Sequence, residues 1–60
     1  MKFKVSYNIF EKGKLAGQDS LEINAVNEKW AKEQAMSMKR IEFAKELREF
    51  EIYKIEKLKD

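Results

Sequence analysis

The sequence predicts an α+β fold in the order strand, strand, helix, strand (ββαβ), with an antiparallel sheet covered on one face by a single long helix. Apolar and polar residues alternate over residues 2–9 and 20–25, which is typical of half-buried strands. Residues 27–38 carry small apolar side chains at helical spacing, and residues 49–57 are rich in β-branched and aromatic side chains. A chain of 60 residues allows a single domain, residues 1–60.

The first strand has one apolar face, which consists of Phe3, Val5, Tyr7 and Ile9. Phe10 follows directly and breaks the alternation, so it is expected on the polar side of the sheet. Two interpretations of Phe10 stay open. It is a residue at a strand end or bulge, or it is an exposed aromatic side chain that contacts a partner.

The turn between the first two strands leaves their register open. A two-residue turn at Lys12-Gly13 would pair odd with even positions and would place the apolar residues of the second strand on the wrong face. The loop is therefore of odd length, or a bulge corrects the register. A three-residue loop sets Val5 opposite Leu21, whereas a five-residue loop sets Val5 opposite Ile23.

Asn27 predicts the start of the helix, because asparagine is a favoured N-cap residue. Ala31, Ala35 and Met38 form one apolar stripe, and its two alanines let the helix approach the sheet closely. Met36 and Met38 are both interpreted as core residues.

Helix-forming residues continue to Arg48, and a second apolar stripe lies roughly 120° from the alanines at about 100° per residue. This second stripe consists of Met36, Phe43, Leu47 and Phe50. A helix that reaches Arg48 is therefore apolar over a wide arc, or it bends near Lys39. An apolar side that the sheet leaves uncovered marks a partner or dimer site.

Residues 49–57 are predicted to form the third strand, because their β-branched and aromatic content favours one. The alternative is a second helix, which gives a ββαα fold. That alternative rests on the helical spacing of Phe43, Leu47, Phe50, Lys54 and Leu58.

The amino-acid composition indicates that the chain is not an enzyme. The chain has no Cys and no His, so it lacks the usual bases and nucleophiles near neutral pH and the usual ligands of zinc. Glu42, Glu46 and Glu49 are spaced to share a helix face and to hold a hard cation, but a solvated face is the interpretation that we favour. We expect no metal, no cofactor, no membrane span and a cytoplasmic location.

Protein binding is the predicted function. The candidate contact residues are Trp30, Phe10, Phe43 and Leu47. Tryptophan is enriched among the residues that dominate protein interfaces, although Trp30 also suits the end of a small core. The alternative is a small nucleic-acid-binding protein that uses the outer sheet face and a basic strip on the helix. Its candidate residues are Lys2, Lys4, Phe10, Lys39, Arg40, Lys45 and Arg48.

The overall pattern resembles short bacteriophage-encoded proteins. The resemblance rests on a lysine-rich first strand, a glycine turn, a second strand that ends Ile23-Asn24-Ala25, a capped helix with Ala31 and Ala35, and a short final strand. Trp30 departs from it, since a charged residue is usual at that position. The resemblance implies a small accessory protein that binds a host protein and modulates or inhibits it by covering its surface. A homodimer is the other expected partner.

Overall fold

A computed structural model describes residues 1–58, so the last two residues of the predicted domain lie outside the described part. It contains β1 (Lys2–Glu11), β2 (Lys14–Asn24), α1 (Glu28–Lys45) and β3 (Glu49–Lys57). The strands form one antiparallel sheet in the order β2-β1-β3. The predicted ββαβ fold is confirmed, and the ββαα alternative is wrong because residues 49–57 form a strand.

The core lies between one face of the sheet and α1. Its central cluster consists of Phe3, Val5, Ile23, Ala31 and Ala35, and Val5 is fully buried. Leu21, Ala25, Ile52 and Ile55 pack against this cluster. The two alanines face the strands as predicted, so the helix backbone lies close to the sheet and the core is thin.

The β1–β2 hairpin combines a two-residue turn with a bulge. Lys12 and Gly13 both have positive φ, 52° and 77°, as the turns that fit the twist of antiparallel strands require. Ile9 pairs with Gly17 but Phe10 pairs with Leu15, which leaves one extra residue in β2. Of the open alternatives, the bulge is the correct one, because it returns the apolar residues of both strands to the same face.

A second bulge lies in β3. Ser6 pairs with Lys54 and Tyr7 pairs with Ile52, so Tyr53 is the additional residue. Ile52 and Ile55 are three positions apart and would point to opposite faces of a regular strand. The bulge allows both to pack against the core.

The beginning of α1 is the one predicted, and its end precedes the last of the helix-forming residues. The Asn27 side chain accepts a hydrogen bond from the Trp30 backbone N–H at 2.9 Å. The helix ends at Lys45, three residues before Arg48, although helix-forming residues continue to Arg48. The Arg48 N–H donates to the Phe43 carbonyl at 2.9 Å and the Leu47 N–H to that of Ala44 at 3.2 Å, which is the hydrogen-bond pattern of a Schellman motif.

Leu47 occupies the left-handed position of this motif, with φ of 57°, where glycine is usual. Its side chain is 88% exposed, so it adds almost no packing. We expect Leu47→Gly to raise the free energy of unfolding by about 0.5–1 kcal/mol, because glycine relieves the steric cost of positive φ. Leu47→Ala retains that cost and serves as the control in urea denaturation. Equal stability of the two variants would contradict this explanation.

The buried side of α1 differs from the predicted stripe. The buried residues are Ala31, Ala35 and Phe43, whereas Met38 is 59% exposed, so the interpretation of Met38 as a core residue is wrong. Each step of four residues advances about 40° around a helix. The buried line therefore rotates along α1 and leaves Met38 on the solvent side. Met36, also predicted to be core, is partly buried.

Candidate protein-contact surface

One face of α1 carries almost no charge although the chain is 40% charged. At about 100° per residue, a single arc of the helix holds Trp30, Gln34, Ser37, Met38, Ile41 and Ala44. All six are exposed, and we call them the uncharged helix face. Lys45, in the last turn, is the only charged residue of α1 on this arc. Depletion of charge with enrichment of aromatic residues and Met is the compositional signature of an interface centre.

The apolar members of this face are unusually open to solvent. Trp30 is 51% exposed and Ile41 is 66% exposed. Met1 and Val26, both more than half exposed, extend the apolar surface past the start of the helix. These two residues line one depression together with Trp30 and Gln34. Exposed apolar surface is a feature of many interaction sites, so this region is the candidate contact surface.

Trp30 owes its position to the start of the helix. The Asn27 cap fixes the first turn so that the Trp30 N–H points at the Asn27 side chain, and the next residue, Ala31, faces the sheet. Trp30 therefore lies outside the core and is available for contact. That it contacts a partner stays a prediction.

The other three predicted contact residues do not join Trp30. Phe10 is half-buried and, by the alternation along β1, lies on the sheet face that α1 leaves uncovered. Leu47 is exposed beyond the end of the helix. Phe43 is only 4% exposed and packs against Tyr7 and Phe50, so its proposed role as a contact residue is wrong. The reason is that the helix end brings the start of β3 over Phe43.

Met38, Ile41 and the polar members of the uncharged helix face were missed as contact candidates. Hydrophobic periodicity did not reveal them, because their stripe mixes apolar residues with Gln34 and Ser37. The positions of the charged residues on a helical wheel contain the missing signal, since all of those in α1 except Lys45 avoid this arc.

The uncovered sheet face does not present a basic surface. Lys4 lies across from Glu22 on β2 and Glu56 on β3, and Phe10 lies across from Glu49. Lys2 forms an ion pair with Glu22 at 3.7 Å. Acidic side chains thus accompany the cations that the nucleic-acid alternative requires.

The basic strip predicted on the helix is also divided. Lys39 lies 5.8 Å above the Tyr7 ring centre and pairs with Glu42 at 3.4 Å. Arg48 lies beyond the helix and covers the ring of Phe43 at 5.3 Å. Arg40 and Lys45 remain exposed on the helix, at positions about 140° apart. The four cations therefore do not form one continuous surface.

The environment of Lys39 affects its protonation. Burial acts to lower the pKa of the Lys39 ammonium, but the nearby Tyr7 and Glu42 side chains outweigh this effect and raise the pKa above its usual value. These contacts therefore stabilise the charged form of Lys39 beside the Tyr7 ring.

The three carboxylates that were considered for a cation do not share a helix face. Glu42 pairs with Lys39, while Glu46 and Glu49 follow the end of α1. Glu46 pairs with Arg48 at 3.7 Å. Within residues 1–58, no cluster of three or more acidic side chains could hold a metal ion.

Comparison with known protein families, with characterised proteins and with solved structures finds no match to this chain. The helix in the described part of the chain lacks the combination of length and apolarity needed to cross a membrane.

Proposed function

We propose that this chain is a non-enzymatic protein-binding module that covers a surface of another protein with its uncharged helix face. The supporting observation is that face itself, with Trp30, Met38 and Ile41 exposed in a chain of which 40% is charged. The module modulates or inhibits the protein it covers. The resemblance to bacteriophage-encoded proteins suggests a bacterial host protein as the target.

The chemistry of the face defines the target surface. Trp30 offers a large, rigid side chain with few rotamers to fix on binding, and Met38 adapts its shape to irregular surfaces. Gln34 and Ser37 each offer donors and acceptors between the apolar side chains. The expected target surface is therefore apolar at its centre, with a few uncharged polar groups and little charge.

Capture from a bacterial lysate on the immobilised full chain tests the proposal. We expect the wild-type chain to retain a protein. The retained amount should fall about tenfold or more with Ile41→Glu, because a charge in the interface centre would be buried without a partner. Tyr53→Ala is the matched control, since Tyr53 is as exposed as Trp30 but lies on β3. Binding must be reproduced with the purified target.

The variant Trp30→Ala separates binding from folding. Its free energy of unfolding is expected to fall by about 1 kcal/mol or less, because the side chain is 51% exposed, whereas a core tryptophan would cost about 3–5 kcal/mol. Retention of the target should fall with this variant as well. Equal retention by wild type, Trp30→Ala and Ile41→Glu, or no retained protein, would overturn the proposed function.

A further inference from the structure

Two pairs of residues on the uncharged helix face are placed symmetrically about one point, whereas Met38 and Ala44 have no counterpart within the face. Trp30 and Ile41 share a midpoint with Gln34 and Ser37, between residues 35 and 36. A two-fold axis through this point and perpendicular to α1 would place Trp30 opposite Ile41 of a second copy. The same rotation places Gln34 opposite Ser37, so an amide meets a hydroxyl. A surface that is complementary to itself in this way is the requirement for an isologous dimer.

The flank of the face has complementary charges under the same rotation. Glu33 and Arg40 lie on one side of the face, both exposed, and their midpoint is within one residue of the axis. The rotation brings Glu33 beside Arg40 of the second copy, and symmetry repeats the pair. Neither residue makes an ion pair within the described part of the chain, so both charges are available.

The chain exposes more surface than its mass predicts. The accessible surface is 4614 Å², and a monomer of 7.2 kDa is expected to expose about 4,100 Å². The chain as a whole therefore exposes about 500 Å² more than is usual, and an interface of about 1,000 Å², the lower end of specific interfaces, would remove that amount from each copy. The core is small, and the chain has no cysteine that could form a stabilising disulfide bond. Oligomerisation is one of the means by which small domains supplement a small core.

We propose that a second copy of this chain occupies the uncharged helix face, with the two α1 helices antiparallel about a two-fold axis near residues 35–36. This inference rests on the proposed function, because it names a partner for the same surface. A different protein that binds this face competes with the second copy. The module therefore exchanges a copy of itself for its target.

Sedimentation equilibrium on the full chain tests the dimer. Between about 10 and 500 µM, the range for a weak interface, the mass should rise from 7.2 kDa towards twice that value. Glu33→Arg alone and Arg40→Glu alone should each raise the dissociation constant about tenfold or more, because each replaces two attractive contacts with repulsive ones. An equimolar mixture of the two variants should restore dimerisation, since both contacts are then attractive.

Glu11→Arg is the control for the change in net charge, because it makes the same substitution at the exposed hairpin end of β1, outside α1 and β3. A monomer over the whole range, or a dimer that neither Glu33→Arg nor Arg40→Glu weakens, would overturn the self-pairing. Either result would leave the capture experiment with Ile41→Glu as an independent test of the proposed function. If no protein is captured but the dimer behaves as described, the proposal of a separate target protein is wrong. The second copy is then the partner that binds the uncharged helix face.

Discussion

Replacing Phe43 with alanine is expected to lower the free energy of unfolding by about 3–5 kcal/mol, the usual cost of removing a buried aromatic side chain. Phe43 is 4% exposed. Its ring meets Tyr7 edge to face at 6.0 Å and stacks on Phe50 at 5.2 Å. A domain of this size has a total stability of roughly 3–5 kcal/mol. The variant should therefore be largely unfolded at 25 °C, as judged by circular dichroism.

Two further variants make the effect of Phe43 measurable. Phe43→Leu keeps most of the volume and should cost less than about 1.5 kcal/mol, so its unfolding curve can be compared directly with that of the wild type. Ile41→Ala, two residues away on the exposed side, should change stability by no more than about 0.5 kcal/mol. A folded Phe43→Ala chain within about 1 kcal/mol of the wild type would show that the aromatic cluster does not hold α1 to the sheet.

Enlarging Ala35 is expected to be the next most damaging change. Ala35 is 1% exposed and lies where the helix backbone approaches the strands. Leucine at this position must push the helix away from Val5 and Ile23, at a cost of about 1–3 kcal/mol or more. The matched control is Ala44→Leu, because Ala44 is an exposed alanine of the same helix. Urea denaturation at low protein concentration measures both variants without interference from self-association.

If Ala35→Leu lowers the free energy of unfolding no more than Ala44→Leu does, this description of the core is wrong. It would mean that the helix can move away from the sheet at little cost. The thin core would then not depend on close approach at the alanines.

The sequence was sufficient to predict the order of elements, because each has a distinct local signal. Alternation marks β1 and β2, the Asn27 cap marks the start of α1, and the two alanines mark its buried side. These signals depend on neighbouring residues only. The periodicity of burial follows directly from whether a residue lies in a strand or in a helix.

The parts that the sequence did not predict depend on tertiary contacts. The bulge at Tyr53 follows from the need to place both Ile52 and Ile55 in the core, which a strand read by itself does not show. The end of α1 was missed because Leu47, a good helix former, adopts positive φ there. The rotation of the buried line away from Met38 depends on how the helix crosses the sheet, which no local pattern specifies.

Of the residues on the candidate contact surface, the sequence identifies Trp30 but not Met38 or Ile41. Trp30 was selected for its residue type, and the structure places it on the surface. Phe43 was selected for its place on a second apolar stripe, but β3 covers it. Met38 and Ile41 become visible only when the charged residues of α1 are mapped onto the helix, because the face is defined by where charge is absent.

The central position of β1 has a consequence for the order of folding. Val5 pairs with Leu21 across about 16 residues of chain and with Ile55 across about 50, so the second closure costs about 1 kcal/mol more in chain entropy. The hairpin is therefore expected to form first. Docking of β3 becomes favourable in free energy only after α1 has formed a surface beside it. The folding nucleus is therefore expected within the first 45 residues.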